Sequence, residues 1–563
     1  MVESYSELYK TFRWHVPKGF SLAAACCLQW SGLPSHEQRP ALIRQDTLGN
    51  TRLTTFAELG RMTAQLANGL TRLGVIPGDR VVIVLSNPSD VLVSLLACWA
   101  VRAVAVPLPP SSSADVLLPK IKQARSQVAL IDGSTQSETL LAISRCPRIK
   151  HTIGIDVYDG RVMNWRGLIA RQATTHMPMQ PLPSDPALMV WPEHTGPDLD
   201  PQSAMVLSHQ SLIGQLPGFV MAANWFPAHS RQLMTTLMPW DEAGLLAAIL
   251  PTLYFGQTVL LAPRLPTPAN LPSQVTHVVT TAHSLITALK SDTSGQPASN
   301  PLSGLALLDH SLHPDWQTQA QQAYGVKPNL STFISGAGLF IAQSLAKWHE
   351  PNHSSGRLVP GHRIRLAGTQ AQATDARLTT GQIEISRTDL AQQTDPAQFT
   401  QAWPVKDSLD LSAQLPTWWR TNLYAQELED GCWRVLGYTD QWQTIAGCSI
   451  SLWQLEQAVL LEPQVKWAQV AFVAARKQQT QMTQKTEVWV VLDTGPTHER
   501  HMKPWRLNLR MDMAKRILNA MGLANDQVNI RIGLVDHQAM SRADQVSRCP
   551  WQTRAYQALI DFL

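Results

Sequence analysis

Capped helices alternate with short apolar runs from residue 54 onward, and this alternation predicts an α/β protein built on doubly wound sheets. Thr55 and Glu58 form a T-x-x-E capping box, followed by Leu59, Leu66, Leu70 and Leu73 at helical spacing, so a helix with an encoded start is expected there. Gly74-Val75 ends it, Pro77-Gly78-Asp79 turns the chain, and Arg80 to Leu85 is an apolar run of buried-strand length. A helix over 89–101 and a strand over 103–108 repeat the unit. Further strands are expected at Ala187 to Trp191, Leu305 to Leu308, and Cys432 to Leu436, the last followed by a break at Gly437-Tyr438-Thr439-Asp440 and by a strand at Trp442 to Ile445. Leu245 to Leu250 reads as a core helix, His277 and His283 as the next strand and turn, and residues 288–301 as a loop by composition. Beyond 441 the order is helix 452–461, strands Ala468 to Val473 and Glu487 to Leu492, helix 505–521, and strand Val528 to Val535.

Composition narrows the class. With 563 residues the chain has length for about three to four domain-sized units. It is 44% hydrophobic and 16% charged, which argues for a folded protein. The net charge of +4 is dispersed, with no basic run to track a phosphate backbone, so nucleic acid is not an expected partner. No apolar run has membrane-span length and the first thirty residues lack a leader pattern, so a cytoplasmic protein is expected. The seven cysteines are odd in number and contain no C-x-x-C, which suggests reduced thiols rather than a zinc site.

The run Trp418 to Glu456, WWRTNLYAQELEDGCWRVLGYTDQWQTIAGCSISLWQLE, resembles the hinge of the adenylate-forming (ANL) superfamily, the AMP-dependent synthetases and ligases. The stretch T-x-A-E-L-x-R through L-G-V-x-P-G-D-R-V resembles the same superfamily, with Arg102 where relatives usually carry glycine. F-R-W-x-V-P-x-x-F near the start, and Leu233 to Pro263, point to the acetyl-CoA and medium-chain acyl-CoA synthetase branch. The resemblance implies a large N-terminal AMP-binding-like domain (1–436) with doubly wound sheets and a small β-subdomain. A hinge (437–440, acidic pivot at Asp440 or Gln441) would join it to a small α/β C-terminal domain (441–563). It places Trp240 and Gly244 at the acyl pocket.

The working residues depart from the pattern. Where the family has a Gly/Ser/Thr/Lys phosphate loop, this chain keeps only Thr195-Gly196 and the Leu207-Ser208-His209 tail. Three prolines there remove N–H donors, and Glu193, Asp198 and Asp200 add negative charge. The glycine turn that passes the adenine reads Asp309-His310-Ser311-Leu312. At the family's Y-G-x-T-E, Ser335 keeps a hydroxyl but Gly336 stands where a glutamate would hold Mg²⁺. Asn422 replaces the ribose-binding aspartate, Tyr438 the arginine after the hinge glycine, and Gln545 the lysine that bridges carboxylate and α-phosphate. No other catalytic motif of a known kind offers a substitute.

These losses together imply a catalytically silent homologue, a pseudoenzyme acting as a binding, scaffold or regulatory partner of a carrier protein or biosynthetic enzyme. No cofactor is implied on that reading. The alternative is a divergent but active ATP-dependent acyl-CoA or acyl-carrier-protein ligase working through an acyl adenylate, with Arg542 or Arg548 supplying charge; ATP, Mg²⁺ and CoA enter only with it. A third reading keeps the acyl pocket as a sensor of carboxylates or acyl thioesters.

Overall fold

The computed structural model describes residues 4–46, 49–177, 179–191, 204–226, 233–236, 242–262, 264–292, 294–351, 353–371, 379–386, 418–438, 442–445, 448–461, 467–474, 486–493 and 529–534. Two large sheets dominate. A seven-stranded sheet has the order Met163–Asn164, His151–Ile155, Val128–Asp132, Arg80–Val84, Val104–Pro107, Pro186–Val190 and Met205–Ser208. Its neighbours are parallel except the last pair, which is antiparallel. Because Arg80–Val84 and Val104–Pro107 are covered on both faces, their residues are almost all buried, as their unbroken apolar runs require.

The helix Phe56–Arg72 begins where its sequence signals. Thr55 Oγ1 accepts from Glu58 N at 3.1 Å and Glu58 Oε2 accepts from Thr55 N at 3.0 Å, which satisfies two orphan donors of the first turn. Leu59, Leu66 and Leu70 are fully buried along one face. The next helix, Pro88–Ala100, is apolar nearly all round and correspondingly buried, with the Trp99 indole donating to Ala187 O at 2.7 Å. Arg102 follows with φ 58°, a left-handed conformation that glycine adopts without strain. The arginine that stands there pairs its guanidinium with Asp185 at 2.6 Å, tying the helix exit to the start of Pro186–Val190.

A thirteen-stranded sheet has a parallel centre and antiparallel flanks. Asn329–Ile334, Gly304–Leu307, His277–Thr280, Leu233–Thr236, Thr258–Leu261 and Pro40–Gln45 run parallel. From Asn329–Ile334 outward the strands become antiparallel: Gly338–Ala342, Gly356–Leu358, Cys432–Tyr438, Trp418–Glu427, Thr379–Ser386 and Ile364–Ala371. The strands that the resemblance assigns to a small β-subdomain lie in this antiparallel flank, joined to the parallel centre through Asn329–Ile334. A smaller three-stranded sheet, Trp467–Ala474, Thr486–Asp493 and Asn529–Leu534, belongs to the C-terminal part.

Several sequence expectations are corrected. Gly437 and Tyr438 do not open a turn; they complete strand Cys432–Tyr438, pairing with Tyr424 and Leu423. Cross-strand pairing outweighs the local turn tendency of that glycine. His283 sits in the first turn of helix Ala282–Ser291 rather than in a turn between elements, and this helix absorbs residues 288–291 of the expected loop. The core helix at Leu245 is a π-helical turn, Leu245–Ile249, between short α-helical pieces Glu242–Gly244 and Leu250–Tyr254. Pro251 follows inside the continuous helical run, just after the π turn, whose last bond runs from Leu250 N to Leu245 O. The helix expected at 505–521 lies outside the described residues.

Two contacts tie distant parts of the chain. The N-terminal helix Tyr5–Thr11 lies along the antiparallel flank, where the Tyr5 and Tyr9 hydroxyls donate to Leu358 O at 2.5 Å and His362 O at 2.7 Å. The helix Leu452–Leu460 packs against the large domain, with Leu452 and Leu460 in one apolar cluster with Trp316, Leu285 and Leu307. None of the helices among the described residues is long and apolar enough to cross a membrane.

Candidate functional site

The hairpin formed by Asn329–Ile334 and Gly338–Ala342 turns through Ser335, Gly336 and Ala337, and Gly336 has φ 79°. Such a turn exposes backbone N–H groups on its inner side, and here they are used. The Ser335 hydroxyl donates to one oxygen of the Glu242 carboxylate, and Gly336 N donates to the other at 2.9 Å. Glu242 is only 6% exposed, so this carboxylate has left water for these donors. Beyond the turn, Gln215 of helix Ser211–Ala222 accepts from Leu339 N at 2.8 Å through Oε1. Gly338 has to be glycine because an added Cβ would lie 2.0 Å from Gln215 Nε2, and because its φ is 76°.

Ser335 and Gly244 are thus brought close by way of Glu242, which sits on the same short helical turn as Gly244. The sequence reading missed Glu242 and Gln215. The available signal was a single acid beside the apolar run Leu245 to Leu250, a place where a charge needs partners. The arrangement does not fit a magnesium ion. Gly336 offers no ligand side chain, both oxygens of the nearby carboxylate already accept hydrogen bonds, and no group of three or more His, Cys, Asp or Glu side chains gathers among the described residues.

Asn422 and Tyr438 lie on adjacent strands, one residue apart in register through the pair Leu423 and Tyr438. Beside Asn422, Thr421 is fully buried and donates its hydroxyl to Ile383 O at 2.9 Å, which anchors the strand. Thr195, Gly196, Trp240, Asp440 and Gln545 lie outside the described residues.

The turn after strand Gly304–Leu307, Asp309 to Leu312, is bonded to its neighbours through the Asp309 carboxylate and the carbonyls of His310 and Ser311. Asp309 caps helix Ala282–Ser291 by accepting from Ala282 N at 2.5 Å, and His310 O accepts from Ser355 Oγ at 2.5 Å. Ser311 O accepts from Gln457 Nε2 at 3.1 Å and from Trp453 Nε1 at 3.3 Å. Gln457 Oε1 takes His313 N at 2.6 Å, and Gln457 O takes the Trp316 indole at 3.0 Å. The helix Leu452–Leu460 is therefore bonded directly to the turn that the resemblance associates with adenine.

Two buried histidines are held neutral. Burial pushes the His209 imidazole down to about 3, with the Arg102 charge adding to the effect, while Nδ1 accepts from Leu22 N at 3.3 Å. Burial likewise lowers His362 to about 4. Neither is available as a proton carrier near neutral pH. A cavity of about 590 Å³ opens elsewhere, between the N-terminal helix and the sheet flank, lined by Tyr5, Tyr9, Lys10, Trp348, Arg357 and Asp430 among others.

A family model described as AMP-binding enzyme matches residues 33–392. An acetyl-coenzyme A synthetase of Mycolicibacterium smegmatis is 29% identical over 149 residues, 24% of this chain and 16% of that one. One of Chromobacterium violaceum is 26% identical over 198 residues, 32% and 30% of the two chains. A feruloyl-CoA synthase of an Amycolatopsis species is 52% identical over 60 residues, 11% and 12% of the two chains. These matched stretches span less than a third of each curated relative. Among solved structures, an anthranilate CoA ligase in complex with anthranoyl-AMP superposes with TM-score 0.71 at 15% identity, covering 92% of this chain and 94% of that one. A benzoate CoA ligase from Burkholderia xenovorans gives TM-score 0.69 at 16% identity, covering 92% and 96%. At such identities the structures speak for the fold, an acyl-CoA ligase architecture of mixed α/β sheets with a C-terminal domain. With more than half of its residues matched by the family model, the chain belongs to the AMP-binding enzyme family.

Proposed function

We propose that this chain is a non-catalytic member of the AMP-binding enzyme family, working as a binding, scaffold or regulatory partner of a carrier protein or biosynthetic enzyme. One observation carries the reading: at the turn equated with the family's threonine–glutamate pair, glycine replaces the glutamate and the remaining donors are spent on the chain's own Glu242. Asn422 and Gln545, neutral where the resemblance implies an aspartate and a lysine, point the same way. Loss of one preorganised transition-state donor costs on the order of 3 kcal/mol, or about a hundred- to a thousandfold in rate. Such losses do not add simply, yet two or three together make ordinary adenylation negligible.

Pyrophosphate exchange into ATP, driven by a panel of carboxylic acids, tests this reading. The expected result is exchange no faster than that of a Gln545→Ala control. Robust exchange abolished by Gln545→Ala would overturn it in favour of a divergent acyl-CoA or acyl-carrier-protein ligase that uses ATP, Mg²⁺ and CoA.

A further inference from the structure

Two donors, one a hydroxyl and one a backbone N–H, converge on a single carboxylate at the Ser335-Gly336 turn. Donors arranged in this way on a positive-φ glycine turn form a concavity suited to an oxyanion, whether carboxylate or phosphate. The oxyanion it holds is a side chain of the same protein. Glu242 reaches it from a short helical turn, and at 6% exposure it is enclosed rather than waiting in solvent. Gln215 braces the strand that follows the turn, its Oε1 accepting from Leu339 N and its amide packed against Gly338 so tightly that not even a methyl group would fit. The seat, its occupant and this brace thus come from three separate elements.

We infer that Glu242 is a built-in occupant of an oxyanion seat formed by Ser335 Oγ and Gly336 N–H, which excludes a free carboxylate or phosphate from that position. The inference deepens the non-catalytic reading and takes from it the equivalence of residues 335–336 with the loop facing the α-phosphate. A tethered group competes at an effective concentration in the millimolar range or above, so a dissolved anion of ordinary abundance loses to it. An incoming anion would also meet like charge at short range in a weakly screened environment. Removing the Glu242 side chain should vacate the seat and leave both donors unsatisfied, a state that favours uptake of an anion from solution.

The test uses the full chain and two probes, acetate and inorganic phosphate, with binding read by calorimetry and, for acetate, by saturation-transfer NMR. Glu242→Ala should bind at least one probe at least tenfold more tightly than the unsubstituted protein, and adding Ser335→Ala should remove most of that gain. A gain with acetate alone identifies a carboxylate seat, and a gain with phosphate identifies a phosphate seat. Equal affinity of the folded Glu242→Ala variant and the unsubstituted protein for both probes overturns the inference. So does a gain that survives Ser335→Ala, because the anion would then be binding elsewhere. Should Glu242→Ala fail to fold, Glu242→Gln keeps the volume and one acceptor oxygen while removing the charge. A several-fold gain supports the inference there, and unchanged affinity overturns it. Pyrophosphate exchange by the unsubstituted protein would remove the non-catalytic reading alone, whereas anion affinity decides the seat.

Discussion

Substituting Gln457 by alanine should loosen the helix Leu452–Leu460 from the body of the protein by an amount that can be worked from its bonds. The Gln457 side chain is fully buried and pairs at both ends, with Oε1 taking His313 N at 2.6 Å and Nε2 donating to Ser311 O at 3.1 Å. Truncation leaves His313 N without its acceptor, a cost of about 1–3 kcal/mol for a buried donor. Ser311 O keeps Trp453 and loses less, roughly 0.5–1 kcal/mol. Loosening of about 1.5–4 kcal/mol follows, and each 1.4 kcal/mol is about tenfold in an opening equilibrium, giving roughly 12- to 700-fold. A helix this short has little stability by itself, so its order depends on docking. Hydrogen exchange followed by mass spectrometry should show protection lost by at least about tenfold in peptides covering 452–460 and 311–316, with Phe56–Arg72 unchanged as an internal control. A change under threefold, or one equal in both regions, would refute the claim that Gln457 fastens this helix.

Other outcomes follow from the same structure. Gly338→Ala, forced into φ 76° and against Gln215, should destabilise the protein by about 1–3 kcal/mol, read as a lower urea midpoint; an unchanged midpoint would mean that Gln215 has room to withdraw. Stability should fall with acidification because His209 and His362, held at about 3 and about 4 when folded, have values near 6.5 when unfolded. Below the unfolded value the unfolded chain takes up protons that the native one refuses, so stability is complete above about pH 7 and is lost progressively toward pH 4. The slope from the two groups approaches about 2.7 kcal/mol per pH unit. Urea midpoints between pH 7.5 and 5 check the direction, and His362→Gln should flatten the dependence by about one proton.

Local signals were strong where a segment's own chemistry decides its structure. The capping box at Thr55 and the buried runs at Arg80–Val84 and Val104–Pro107 were legible because a satisfied first turn and a doubly covered strand each need a particular pattern. Gly437-Tyr438 misled because its turn tendency is a local preference, whereas its partners Tyr424 and Leu423 lie on another strand. The π-helical turn at Leu245–Ile249 left no mark, since its apolar composition is equally that of an ordinary helix. At the candidate site, the departures at Gly336 and Asn422 could be read directly from the chain. Glu242 could not, because its meaning depends on Ser335 and Gly336, more than ninety positions away.

The bonds from Tyr5 to Leu358 and from Tyr9 to His362 each bridge 353 positions, and the flank they rest on is completed by strands lying beyond residue 417. At ordinary ribosomal speeds of about 5–20 residues per second, the helix Tyr5–Thr11 waits on the order of tens of seconds for its resting place. During that interval its tyrosines have no native surface to cover. Late closure of this kind makes the helix a clasp on the antiparallel flank, fastened after the sheet beneath it has formed.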